Sequence, residues 1–130
     1  MVEFAGWEMP VQYAGIIHET HAVRRCWGLF DVSHMARAYF RGRYARAFLD
    51  RLVPSDLRKV APMTGQYTVL TNEHGGVVDD IIIYELQPDE YLMVFNAANR
   101  GKDLNWFHRW RAEWDMPVEI DDQTEQTVML

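Results

Sequence analysis

Two adjacent carboxylates interrupt an apolar run in Gly75-Gly76-Val77-Val78-Asp79-Asp80-Ile81-Ile82-Ile83-Tyr84. Side chains alternate faces along a strand, so Asp79 and Asp80 point opposite ways. One of the two shares a face with Val78, Ile82 and Tyr84, which their residue types mark as apolar. A carboxylate on such a face is costly unless something pairs with it, which makes this strand a candidate site. Tyr67 lies on the hairpin partner and Asn96 at the end of the next strand. If these strands are neighbours, Asp80, Tyr67 and Asn96 converge, with Tyr84 flanking them. A carboxylate, an amide and two aromatic walls suit a flat nitrogen heterocycle, whose rings stack and whose N–H and C=O edges are read by the polar groups. The same spacing equally fits an Asp80–arginine pair with both tyrosines in the core.

Other chemistry-bearing residues form weaker patterns. Asp31, Ser33 and His34 invite a triad reading, but near-adjacent positions rarely supply triad geometry and no nucleophile-elbow glycines surround them. Local loop hydrogen bonding is the better use of Asp31 and Ser33. His18 and His21 lack a carboxylate partner at metal-binding spacing and read as solvated helix residues, so no metal site is expected. The single cysteine, Cys26, excludes an intramolecular disulfide and reads as a buried structural thiol.

The elements that must position the candidate residues are legible in order. Residues 1–14 read as irregular. A helix spans Gly15 to Trp27, with Ile16, Thr20, Val23 and Trp27 at helical spacing and Gly28 as its stop. Leu29 to Met35 reads as a loop that turns Phe30 and Met35 inward. Then come a strand over Ala36–Arg41, a helix over Arg43–Val53 bearing Tyr44, Phe48, Leu49 and Leu52, and a connector with Pro54 and Pro62. Strands at Gly65–Thr71 and Val77–Leu86 flank the loop Asn72-Glu73-His74-Gly75-Gly76, and a third covers Tyr91–Phe95. Asn99 is placed to cap a helix over Arg100–Trp114. Its stripe is Leu104, Phe107 and Arg111, or Trp106, Trp110 and Trp114. A short strand at Val118–Ile120 follows, and Thr127 to Leu130 reads as a strand beginning. From Ala36 the order is β-α-β-β-β-α-β, an α+β arrangement with a mainly antiparallel sheet and helices on one face.

Composition is ordinary for a globular domain, with 48% hydrophobic and 25% charged residues in 130. The net charge of -6 is unevenly spread. From Arg24 to Lys59 there are nine basic and three acidic residues, and elsewhere four basic and sixteen acidic. The basic segment could attract an anionic ligand or acidic partner, or be a solvated helix face. No apolar run approaches the ~18 residues of a membrane span, and no signal-peptide pattern opens the chain. Neither a membrane nor a nucleic-acid partner is expected.

Four ordered motifs carry a family resemblance: Phe4-Ala5-Gly6-Trp7-Glu8-Met9-Pro10-Val11-Gln12-Tyr13, Gly28-Leu29-Phe30-Asp31-Val32-Ser33-His34-Met35, Asn72 to Asp80, and Asn96-Ala97-Ala98-Asn99-Arg100-Gly101-Lys102-Asp103. Together they resemble the aminomethyltransferase (T-protein) of the glycine cleavage system along essentially the whole chain. The resemblance implies a larger multidomain folate-binding fold. It implies tetrahydrofolate as co-substrate, and as partner the lipoylated H-protein, whose aminomethyl group is converted to ammonia and methylenetetrahydrofolate. The family's key aspartate falls on Asp80, leaving Asp79 as an outward supporting acid. Tyr67, Tyr84 and Asn96 match positions lining the pterin pocket, and Met35 matches a wall near it. Such a protein would be cytoplasmic in bacteria, or in the mitochondrial matrix of a eukaryote.

The chain departs from the family at Ala36-Arg37, where glycine usually follows, at Pro54-Ser55-Asp56, and at the bulky Cys26-Trp27. It reads as an N-terminal fragment. Residues 1–35 would belong to the first domain of full-length members, 36–121 would form the folate-site unit, and 122–130 would start a truncated return strand. A fragment of this kind is expected to bind folate weakly and turn over little. Alternatives within the superfamily are a folate-dependent demethylase or a dimethylglycine or sarcosine dehydrogenase module. Outside catalysis, the alternative is a folate-binding protein of iron–sulfur maturation; retention of Asp80 argues against it.

Overall fold

The computed structural model describes residues 1–130. A short antiparallel hairpin, β1 (Val2–Phe4) and β2 (Trp7–Met9), opens the chain where irregular structure was expected. Its turn works because Ala5 and Gly6 both take positive φ, 52° and 84°. Helix α1 (Ile16–Arg25) follows, and it buries none of its residues. It ends at Arg25, three residues before Gly28, and the capping Cys26 is exposed rather than buried. Phe30, expected to turn inward, is exposed as well.

The remainder forms one five-stranded antiparallel sheet in the order β4-β5-β6-β3-β7. Its strands are β3 (Ala36–Arg41), β4 (Gly65–Thr71), β5 (Val77–Gln87), β6 (Glu90–Phe95) and β7 (Glu119–Asp122). Helix α2 (Ala45–Leu52) joins β3 to β4, and α3 (Arg100–Glu113) joins β6 to β7. This is the expected α+β order. No helix is long and apolar enough to cross a membrane.

Both α2 and α3 lie on one face of the sheet. That face presents Ala36, Ala38 and Phe40 from β3, Leu70 from β4, Ile81 and Ile83 from β5, and Tyr91, Met93 and Phe95 from β6. Phe48, Leu49 and Leu52 reach it from α2, and Phe107 and Trp110 from α3. Phe40 stacks on Phe48 and meets the edge of Phe107, which also meets Phe95 edge-on at 5.7 Å. All residues of this core lie between Ala36 and Val118.

The opposite face of the sheet carries no helix. It presents Tyr39, Tyr67, Val69, Asp80, Ile82, Tyr84 and Leu92, which are exposed or half-buried. The expected apolar face of β5, with Val78, Ile82 and Tyr84, is therefore the open face, and the core lies on the other side. The run Ile81-Ile82-Ile83 is apolar in both registers, so alternation alone could not say which face the helices cover. Asp79 is consequently the inward acid, 5% exposed, and its expected outward orientation is corrected.

The end of the chain is held differently from expectation. Residues 124–126 turn, and 127–130 form no strand. Arg37, on β3 and 4% exposed, organises this region. Its guanidinium donates to the carbonyls of Ser33 and Met35 at 3.0 and 2.8 Å, and to those of Thr124 and Thr127. The Arg37 backbone N–H donates to the Thr124 hydroxyl oxygen at 3.1 Å. One buried cation thus ties the loop before β3 to the segment after β7, and burial lowers its pKa.

Candidate functional site

The β4–β5 hairpin places the site. Gly75 takes a φ of +79°, which a larger residue rarely adopts. Asn72 closes the loop: its Oδ1 accepts from the N–H groups of His74 and Gly76 at 3.0 and 2.8 Å. A bulge follows at Leu70/Thr71, after which the pairs run Leu70↔Asp79, Val69↔Asp80 and Tyr67↔Ile82. Tyr67 and Asp80 therefore sit diagonally on the open face.

Three of the expected residues meet. The Tyr67 hydroxyl donates to Asp80 Oδ2 at 3.0 Å. Asn96 Nδ2 donates to Asp80 Oδ1 at 2.8 Å. Each carboxylate oxygen thus has one fixed donor, and Asp80 remains exposed to the open face. The hydrogen bond to Asp80 raises the pKa of Tyr67, because its phenol is favoured as donor beside that charge. No arginine pairs with Asp80, so the ion-pair reading of this residue is set aside.

Tyr84 flanks the patch on the same strand face. Its ring lies on the backbone of its cross-strand partner Gly65, where an added Cβ would stand 2.5 Å from Cε1. Glycine at 65 is what lets that ring lie flat. Met35 precedes β3 by one residue and is half-buried; since Ala36 pairs with Phe95, it stands beside the Asn96 end of the patch.

Beneath this patch is a group that sequence reasoning missed. Asp79 Oδ1 accepts from Asn96 Nδ2 at 2.9 Å and Asn99 Nδ2 at 2.6 Å, and Oδ2 accepts the Asn96 N–H at 3.2 Å. Burial alone would raise the pKa of Asp79, but these donors outweigh it and hold the carboxyl below its usual range. Asn99 therefore serves Asp79 and makes no side-chain cap for α3. Asp103, fully buried, is the second acid. Burial, then the neighbouring Asp79, push its pKa up to about 8. Asp103, Phe107 and Trp110 form the buried stripe of α3. An acid at spacing four and seven from two buried aromatics was the sequence signal for this group, hidden because the helix admits several aromatic stripes.

The secondary candidates resolve simply. Asp31 Oδ1 accepts the Ser33 N–H at 2.9 Å, a local turn rather than a triad. His18 and His21 are exposed, and no group of His, Cys, Asp and Glu could hold a metal ion. Of the basic segment, Arg37 is the buried strut, Arg41 is shared among Glu90, Glu119 and Asp121, and Arg58 pairs with Asp56.

An antiparallel sheet backed by two helices, with an oriented carboxylate between an amide and aromatic rings on its bare face, defines the chain as an α+β domain with one sheet face left open. The chain belongs to the family described as the GCVT N-terminal domain, which matches residues 1–130. It is 48% identical to an aminomethyltransferase of Thermus thermophilus and 42% identical to one of Thermotoga maritima. Both alignments cover 100% of this chain, and 37% and 35% of those proteins. The chain thus spans about a third of the length of the curated relatives it matches. Its fold is similar to the crystal structure of glycine cleavage system aminomethyltransferase T from Bartonella henselae. The TM-score is 0.85 at 30% identity, over 93% of this chain and 33% of that one.

Proposed function

We propose that this chain carries the tetrahydrofolate site of an aminomethyltransferase of the glycine cleavage system. The reaction moves a methylene group from an aminomethylated lipoyl carrier protein to tetrahydrofolate and releases ammonia. The observation that carries this reading is the convergence of Asp80, Tyr67 and Asn96 on an open sheet face, in a chain whose relatives bear that activity in their names.

The residues fit a reduced pterin. Tyr67 offers its ring at 63% exposure, and Tyr84 lies flat beside the patch. Both N–H groups of Asn96 Nδ2 are engaged by Asp79 and Asp80, so its Oδ1 is left to accept an N–H from a ligand. Asp80 accepts the N–H of the folate nitrogen that attacks the methylene carbon. It takes up proton density as that nitrogen loses its lone pair to the new C–N bond. With both oxygens already oriented, the carboxylate meets the developing positive charge without reorganising. Met35 supplies a wall at the Asn96 end.

We read residues 36–121 as the folate-site unit, residues 1–35 as part of the first domain of a longer protein, and the exposed arginines of the basic segment as a surface for the acidic carrier. The relatives named above are bacterial, and a cytoplasmic location follows from the same reading. The test is Asp80→Asn in a full-length aminomethyltransferase bearing this chain, following ammonia release from aminomethylated carrier and tetrahydrofolate. The variant keeps the fold and loses about 10²-fold or more in rate; wild-type turnover would remove Asp80 from the mechanism.

A further inference from the structure

Asp103 has no role in the reaction as derived above, yet it occupies the most demanding position near the site. It is fully buried, and counted as a carboxylate its Oδ1 and Oδ2 find no hydrogen-bond donor. Its side chain lies within hydrogen-bonding reach of Asp79, itself 5% exposed. Two buried carboxylates in contact do not both stay ionised, since like charges in a dry site repel strongly. The proton belongs on Asp103, because Asp79 already accepts three N–H groups from Asn96 and Asn99.

Every group facing the pair is accounted for. Strand β5 contributes Asp79 and the Val78 carbonyl. The 3₁₀ turn at Ala97–Asn99 and its flank contribute Asn99 and Asn96. Helix α3 contributes Lys102, whose Nζ stands 3.7 Å from Asp103 Oδ1 but is half-exposed and donates to the Val78 carbonyl at 2.6 Å. No cation is therefore buried with the acids.

We propose that Asp103 is a positioning residue: as the neutral acid it donates to Asp79, and Asp79 so anchored holds the Asn96 amide with its Nδ2 on Asp80 and its Oδ1 toward the open face. The chain of contacts runs Asp103, Asp79, Asn96, Asp80, Tyr67, from the core to the surface. Loss of the Asp103 proton places a second charge beside Asp79 and pulls the Asn96 and Asn99 amides between two acceptors. Only the consequence for a ligand rests on the folate reading; the positioning itself does not.

The test is side-chain amide NMR of the ¹⁵N-labelled 130-residue chain from pH 5.5 to 9.5, for wild type, Asp103→Asn and Asp103→Ala, with tetrahydrofolate binding titrated for the same variants in a full-length aminomethyltransferase bearing this chain. In wild type the Asn96 and Asn99 side-chain signals move together, with a midpoint near 8. Asp103→Asn keeps an N–H donor to Asp79, so its signals hold their neutral-pH positions and lose that titration. Asp103→Ala broadens or displaces them at every pH and weakens tetrahydrofolate binding by the full-length protein about tenfold, roughly the worth of one oriented hydrogen bond. PH-independent wild-type amides overturn the proposal, as does an Asp103→Ala chain with unchanged signals and ligand response. If Asp103→Ala does not fold, wild type against Asp103→Asn decides. Should the titration appear as stated while a full-length aminomethyltransferase bearing this chain does not bind tetrahydrofolate, the folate reading fails and the positioning role stands.

Discussion

Replacing Asp103 by asparagine should make this chain more stable, increasingly so as pH rises. A carboxyl has an ordinary value of 3.8, and in the fold Asp103 is pushed up to about 8. The native state thus keeps a proton that the unfolded chain releases. Stability from that protonated acid is complete below about 3.8, and is lost as pH climbs through about 8. Between those limits the slope is about 1.4 kcal/mol per pH unit. Asparagine has the same shape, still donates to Asp79 and has no proton to lose. Its advantage over wild type should therefore grow by on the order of 2–3 kcal/mol between pH 5 and 7, a sizeable share of the roughly 5–15 kcal/mol that holds a domain folded. The depressed acids Asp79, Asp121, Asp122 and Glu90 give the opposite dependence, but lose their contribution only as pH falls through their folded values, below this window. Urea unfolding followed by circular dichroism at half-unit steps measures the difference between the two chains. A difference that stays constant from pH 5 to 7.5 would refute the assignment of the proton to Asp103.

Two further outcomes test the frame around the site. Gly65→Ala should displace the Tyr84 ring, whose Cε1 and Cδ1 would lie 2.5 and 2.8 Å from the new Cβ. Tyr84 ring signals should shift and tetrahydrofolate binding weaken, with the Asp80–Tyr67 contact intact. Arg37→Met should strand the carbonyls of Ser33, Met35, Thr124 and Thr127, costing about 3 kcal/mol or more in urea unfolding. It should also open residues 31–35 and 124–127 to limited proteolysis before the sheet unfolds.

Much of the architecture was legible because it rests on local rules. Period-two alternation located β4, and helical spacing located α2 through Phe48, Leu49 and Leu52. The Gly75 turn joined the two strands that carry Tyr67 and Asp80. The N-terminal part read less well. In α1, Ile16, Thr20 and Val23 have core-like spacing, yet none is buried in this chain. Spacing reports a stripe, and only a neighbour can bury it. Cys26 and Phe30 fail for the same reason.

By itself the sequence determined the order of elements, placed Asp80, Tyr67 and Asn96 where they would converge if their strands were neighbours, and through its four motifs marked the family. The tertiary structure decided which face of β5 is dry. Ile81, Ile82 and Ile83 make both faces apolar, so the choice fell to α2 and α3, which pack against Ile81 and Ile83. That packing turned Asp79 inward onto Asp103 and left Asp80 on the open face. Two residues 24 apart in sequence share one proton because the return of α3 across the sheet removes water from both, and no pattern along a single strand or helix records that.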